Sequence, residues 1–245
     1  NDIRAYVRGC HACQLRARPQ RMQPLQAIPV VAPFHRFGID LMGPLPVGYQ
    51  GRRYIVVAID YLTKWVETRA ISHKTSKAVA AFIQEQLFER FGMPAEILTD
   101  NGTEFQGAVR TLLANNNIRH LRASPYHPQT NGLVERVNRT LAEALARHIA
   151  GRTSAWVQQL SAVTFAYNST RQGTTRYSPY ELVYGQSART AADNEFPTNT
   201  VGETPDNDRI AALVRLPTVA NMNAKREQAR DRPHHRQQQS AARFA

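Results

Sequence analysis

Asp40, Asp100 and Glu135 are the residues of this 245-residue chain whose types and positions suit metal chemistry. Asp40 closes a short apolar segment, Phe37–Met42, that reads as a strand stopping at Gly43-Pro44. Asp100 follows a second such segment, Glu96-Ile97-Leu98-Thr99, and opens the turn signal Asp100-Asn101-Gly102. Glu135 stands in the first turns of an amphipathic stretch marked by Leu133, Val134, Val137, Leu141, Ala144, Leu145 and Ile149. At about 100° per residue it lies more than ~120° around the helix from the centre of that stripe, free to face a groove. Acidic groups at two strand ends and one helix start can meet at a single rim of a sheet. They repel one another unless a cation lies among them. All-oxygen ligands suit Mg²⁺ or Mn²⁺. Two such ions roughly 3.5–4 Å apart activate the attacking oxygen of a phosphodiester reaction and stabilise the leaving one. Spacing alone also permits a plainer account, in which the two aspartates cap turns and the glutamate solvates a helix.

The elements that must position these groups are legible in outline. Tyr54–Asp60 is a β-branched run suited to a buried strand, and Trp65–Ile71 alternates as its antiparallel neighbour. With Phe37–Met42 they form a meander. Ser72–Phe91 switches to helical period, with Val79, Phe82, Ile83, Leu87 and Phe91 on one face, Ser72 or Thr75 as cap, and Gly92 with Pro94 as the stop. Phe105–Ala114 suits a helix and Arg119–Ala123 a fifth strand. Residues 124–131 form a polar loop with two prolines. A long helix then runs to Gly151 and another spans Thr153–Asn168. This order predicts an α/β domain with a mixed five-stranded sheet flanked by helices. Residues 208–239 read as an exposed, Arg-rich helix interrupted at Pro233.

Charge points to the partner. The formal net charge is +12, and of 31 basic residues only Lys64, Lys74, Lys77 and Lys225 are lysine. Arginine grips phosphate oxygens bidentately. Residues 1–36 carry six Arg and one Asp, and residues 206–245 carry eight basic and four acidic side chains, whereas the middle is nearly balanced. Basic arms around a globular centre suit a nucleic acid. Two cysteines, Cys10 and Cys13, exclude a disulfide-stapled scaffold, and the longest apolar runs are far too short to span a bilayer. The chain begins with Asn rather than Met, so a processed product or excised fragment is expected.

Five ordered blocks carry a resemblance: residues 37–44 around Asp40, residues 60–65, residues 98–105 around Asp100, residues 124–136 ending at Glu135-Arg136, and residues 177–185. Together they are similar to retroviral-type integrases, nearest the gypsy-type branch of LTR retrotransposons, over about Cys10 to Arg189. The Asp100–Glu135 step of 35 positions is within the range such enzymes use. The resemblance implies a ribonuclease-H-like fold whose catalytic triad is Asp40, Asp100 and Glu135, holding two Mg²⁺ or Mn²⁺ ions. It implies trimming of the 3′ ends of element DNA by water, then attack of each 3′-OH on target DNA, within the Pol polyprotein tradition. The implied partners are double-stranded DNA and further copies of the chain, with no membrane, acting in the nucleus. Asp60 is read as a turn former, and Glu104 is expected to point away from the triad.

The same resemblance assigns contacts around the groove. Tyr126, His127 and Asn131 lie in the loop that meets DNA ends, and Asn138 and Arg139 share the Glu135 face at i+3 and i+4. Cys10-His11-Ala12-Cys13 supplies half of a Zn²⁺ site whose histidine half is missing. The expected organisation is therefore a remnant of an N-terminal zinc-binding domain at 1–20, a linker at 21–33, the catalytic core at 34–190, and a linker with a basic helical tail at 191–245. Two alternatives remain open: a decayed or domesticated integrase derivative that binds nucleic acid without catalysis, and a different ribonuclease-H-like transposase or hybrid-cleaving nuclease.

Overall fold

The structure, a computed structural model, describes residues 32–122, 132–149, 153–190 and 222–231. Five strands form one sheet in the order β3-β2-β1-β4-β5: β1 is Arg36–Met42, β2 Tyr54–Asp60, β3 Val66–Ile71, β4 Glu96–Thr99 and β5 Arg119–Arg122. β1–β2 and β2–β3 pair antiparallel, while β1–β4 and β4–β5 pair parallel. Alternation along β1 sends Phe37 and Ile39 to one face and Asp40 and Met42 to the other.

Each face is covered by helices. The first carries α1 (Ser76–Phe82), a π-helical continuation (Ile83–Phe88), a last turn α2 (Glu89–Phe91), and α3 (Ala108–Asn115). Thr75 caps α1 by accepting a hydrogen bond from Ala78 N, and Gly92, at φ 81°, ends the rod. The expected helix from Ser72 thus starts later, at Ser76. Its π stretch widens one turn so that Leu87 and Phe88, adjacent in sequence, are both buried.

The second face carries α4 (Gly132–Ile149) and α5 (Trp156–Ser169). Val134, Val137, Leu141 and Leu145 of α4 meet Ile55, Val57 and Ile59 of β2 there. A short helix that the pattern of apolar residues does not show, α6 (Pro179–Tyr184), follows. Ser178 and Glu181 form a capping box around Pro179, and Gly185 closes it at φ 78°. Residues 222–231 are helical, but they are not the fully exposed arm expected from their arginines. Ala229 is buried, Gln228 accepts a hydrogen bond from Tyr177 Oη, and Arg226 donates to the carbonyls of Leu182 and Val183 at the end of α6. Among the described residues no helix is long and apolar enough to cross a membrane.

The outer edge of β3 is closed by side chains. Trp65 C=O bonds inward to Asp60 N, so the N–H and C=O of Val66 face outward. The buried Asn168 amide takes both, at 2.9 Å each. Arg52 donates to Ala70 O, and Thr68 Oγ1 meets Thr164 Oγ1 at 2.7 Å. Exposed strand edges invite unwanted pairing, and this one is masked. Replacing Asn168 by Ala leaves both backbone groups of Val66 buried without partners. Urea denaturation of Asn168→Ala should show a loss of about 2–4 kcal/mol; a loss below about 0.5 kcal/mol would mean that the amide is dispensable to the edge.

Candidate active site

Parallel pairing of β1 with β4 sets two of the three carboxylates side by side. Gly38 is opposite Leu98, so the same register carried two residues further brings Asp40 level with Asp100, just past the end of β4. Asp40 Oδ1 accepts from Leu41 N at 2.8 Å. Asp100 is exposed and its Oδ1 accepts from Gly102 N at 2.8 Å, which fixes the turn predicted at Asp100-Asn101-Gly102. Thr99 Oγ1 donates to the Asp100 carbonyl at 2.8 Å and stands 2.9 Å from His120 Nε2, tying β5 to the same turn.

The third carboxylate arrives on α4, and its position depends on a glycine. A Cβ added to Gly38 would stand 2.7 Å from Val134 Cγ2 and 2.9 Å from the Tyr61 ring. Val134 therefore sits on bare backbone of β1. The next residue, Glu135, is exposed as its helical phase predicts. One turn on, Asn138 Nδ2 donates to Asp40 Oδ2 at 2.8 Å.

The electrostatics register the gathering. Asp40 is pushed up to about 6, first by burial and then by repulsion from both Asp100 and Glu135, against the stabilising hydrogen bonds from Leu41 and Asn138. Among the described residues, however, no three Asp, Glu, His or Cys side chains are drawn together tightly enough to hold an ion as they stand. Like charges without a counter-ion resist closer approach, as expected for three carboxylates at one rim. The donor set still fits a hard divalent cation. All the groups are oxygens, their repulsion is what a cation would relieve, and Asn138 Oδ1 beside them is buried without a hydrogen-bond partner.

Other expected residues are placed as follows. Asn138 turns inward to Asp40 rather than out toward DNA, whereas Arg139 is exposed on the Glu135 side of α4. Asp60 is fully buried and accepts from Phe34 N, Thr63 N and Thr63 Oγ1, the turn former expected. Glu104 is buried behind the Asp100 turn and paired with Lys74. Tyr126, His127, Asn131, Cys10 and Cys13 lie outside the described residues. Gly38 and His120 escaped the sequence reading, because a glycine in a strand and a histidine near a turn carry no signal of their own.

Residues 31–128 match the integrase core domain family. The match takes in Asp40 and Asp100 and stops before Glu135. The chain is 34% identical over 156 residues to the retrovirus-related Pol polyprotein from transposon 412 of Drosophila melanogaster, covering 63% of this chain and 13% of that protein. It is 29% identical over 188 residues to the Pro-Pol polyprotein of feline foamy virus, covering 75% and 16%. It thus spans 13–16% of the length of these curated relatives. A chain of the cryo-EM structure of the simian T-cell lymphotropic virus intasome in complex with PP2A regulatory subunit B56 gamma superimposes with a TM-score of 0.61 at 21% identity, covering 77% of this chain and 68% of that one. The fold is therefore the ribonuclease-H-like fold of integrase catalytic cores.

Two measurements test this geometry. Gly38→Ala should lower stability by about 1–3 kcal/mol through overpacking against Val134, and Val134→Ala in the same chain should recover part of the loss. Additive effects in that double-mutant cycle would place the helix elsewhere. The raised Asp40 means that its charged form costs stability. Its contribution is intact below the ordinary carboxylate range and is lost as pH rises through about 6. In metal-free buffer, Asp40→Asn should accordingly raise the melting temperature more at pH 7.5 than at pH 4.5. Equal shifts at the two pH values would contradict the crowded rim.

Proposed function

We propose that this chain is the catalytic part of a retroelement integrase, of the gypsy-type branch. It trims the 3′ ends of element DNA and joins them to target DNA by phosphodiester transesterification. The observation that carries this reading is geometric: parallel pairing of β1 with β4 brings Asp40 level with Asp100, and Val134 seated on Gly38 brings the Glu135 turn of α4 over the same rim, where Asn138 bonds Asp40. Asp40, Asp100 and Glu135 would hold two Mg²⁺ or Mn²⁺ ions, which when bound activate the attacking oxygen and stabilise the leaving one.

The chain's own residues supply positioning. Asn138 orients Asp40, and Gly102 N–H orients Asp100. Arg136 and Arg139, both exposed on α4, offer guanidinium groups to DNA phosphates beside Glu135. The substrate of the reading is double-stranded DNA, both element ends and target, and its chromosomal location puts the reaction in the nucleus. Joining two ends at one target calls for more than one copy of the chain, as the likeness to an intasome chain supports. Cys10 and Cys13 would be the remnant of a Zn²⁺ site.

The test is joining of a labelled oligonucleotide duplex to plasmid by the 245-residue chain in Mg²⁺ or Mn²⁺. Joined product is expected, falling to background in Asp100→Asn. DNA binding without joining, unchanged by metal, would identify a decayed binder. Cleavage confined to RNA–DNA hybrids would identify a nuclease of the same fold.

A further inference from the structure

Beside the triad lies a charged pair that the chemistry above does not use. Lys74, in the turn between β3 and α1, places Nζ 2.8 Å from Glu104 Oε1. The two side chains differ sharply in exposure: Lys74 46%, Glu104 3%. Glu104 Oε2 is buried without a hydrogen-bond partner, so the lysine is the only counter-charge this carboxylate has among the described residues. Burying a carboxylate is costly, and one oxygen left unpaired adds to the cost. A requirement for packing alone would be met more cheaply by an apolar residue.

The location gives the pair a use. A Cβ on Gly102 would stand 2.5 Å from Glu104 Oε2 and 2.6 Å from its Cδ, so the carboxylate lies directly against the turn. Gly102 N–H is the donor that holds Asp100 Oδ1. Lys74, Glu104, Gly102 and Asp100 thus form one connected set. The ammonium is held up in pKa first by its hydrogen bond to Glu104, and the charge of Asp100 also acts on it. It has three N–H donors and Glu104 takes one. The remaining donors stand at an exposed position on the rim where three carboxylates would repel a polyanion.

We infer that Lys74 is a DNA-contact residue of this site, donating to a phosphate oxygen of the strand that lies across Asp100, with Glu104 as the buried anchor that positions it. The inference rests on the proposed DNA substrate. It assigns a phosphate contact, blind to base sequence.

Anisotropy titrations of the 245-residue chain against a DNA duplex in EDTA, over a series of KCl concentrations, test it without metal. Neutralising one phosphate contact changes the slope of log K against log salt by about 0.9. Lys74→Gln should flatten the slope by that amount and weaken binding about fivefold near physiological salt. Lys74→Arg should keep the wild-type slope. If Lys74 serves only to neutralise Glu104, Lys74→Gln shifts the melting temperature and leaves the slope unchanged, and the inference is overturned. A flattened slope in a chain that joins no DNA would sink the proposed reaction and leave the contact standing. Efficient joining with a slope indifferent to Lys74 would do the reverse, and a wild-type chain that binds no DNA overturns both.

Discussion

The close approach of a helix to a strand is the constraint on which the site depends. α4 can rest on β1 only because Gly38 has no side chain, and Val134 fills the space a Cβ would take. That contact fixes both the height and the rotation of the helix. Its apolar stripe is committed to the sheet through Val137, Leu141 and Leu145, so the polar side of its first turns must stand over the carboxyl end of β1. Asn138 reaches Asp40 for this reason, and Glu135 stands one turn before it on the same side. A two-residue offset between a glycine and an aspartate on one strand thereby decides where a residue almost a hundred positions later comes to lie.

Parallel pairing contributes the other half. β1 belongs to an antiparallel meander on one side and to a parallel pair on the other. The parallel side aligns the carboxyl ends of β1 and β4, and both aspartates emerge from that rim. The arrangement brings repelling groups to one rim, and Asp40 is pushed up to about 6 first by burial and then by that repulsion. The packing that gathers these groups is apolar and remote from the charges. It can therefore oppose their repulsion without neutralising it, leaving that task to a bound cation.

Much of this was legible in the residues, and the rest was hidden for physical reasons. The β-branched run Tyr54–Asp60 could only be a buried strand, and the helical phase of Glu135 against Val134, Val137 and Leu141 already turned it outward. Asn138 shares the Glu135 face, yet a half-buried amide at that angle can serve DNA or a neighbouring carboxylate, and only tertiary placement chose Asp40. The π stretch at Ile83–Phe88 is a response to packing, and no local propensity announces it. α6 was different: Ser178-Pro179-Tyr180-Glu181 is a visible capping box, too short a helix to show an apolar period. The burial of Glu104 was hidden because spacing from Asp100 says nothing about a 3₁₀ turn at Thr103–Phe105.

The arginine content, too, means less than its total suggests. Arg36 is buried against Glu96, which Arg119 also pairs with; Arg69 pairs with Glu85 and Arg90 with Glu67. Arg52 caps the β3 edge and Arg226 caps α6, where its guanidinium is lowered first by burial. Each of these cations already has a partner within the fold. Flanking the carboxylate rim are Arg136 and Arg139 on the helix side and Lys74 on the turn side. Net charge acts on a polyanion from a distance, whereas only groups held rigidly by a fold can set the register of a phosphate contact. Lys74 is anchored by a buried carboxylate, and Arg136 by the same α4 stripe that rests on Gly38. The two flanks of the rim are thus positioned independently, one through the Asp100 turn and the other by helix packing on the sheet.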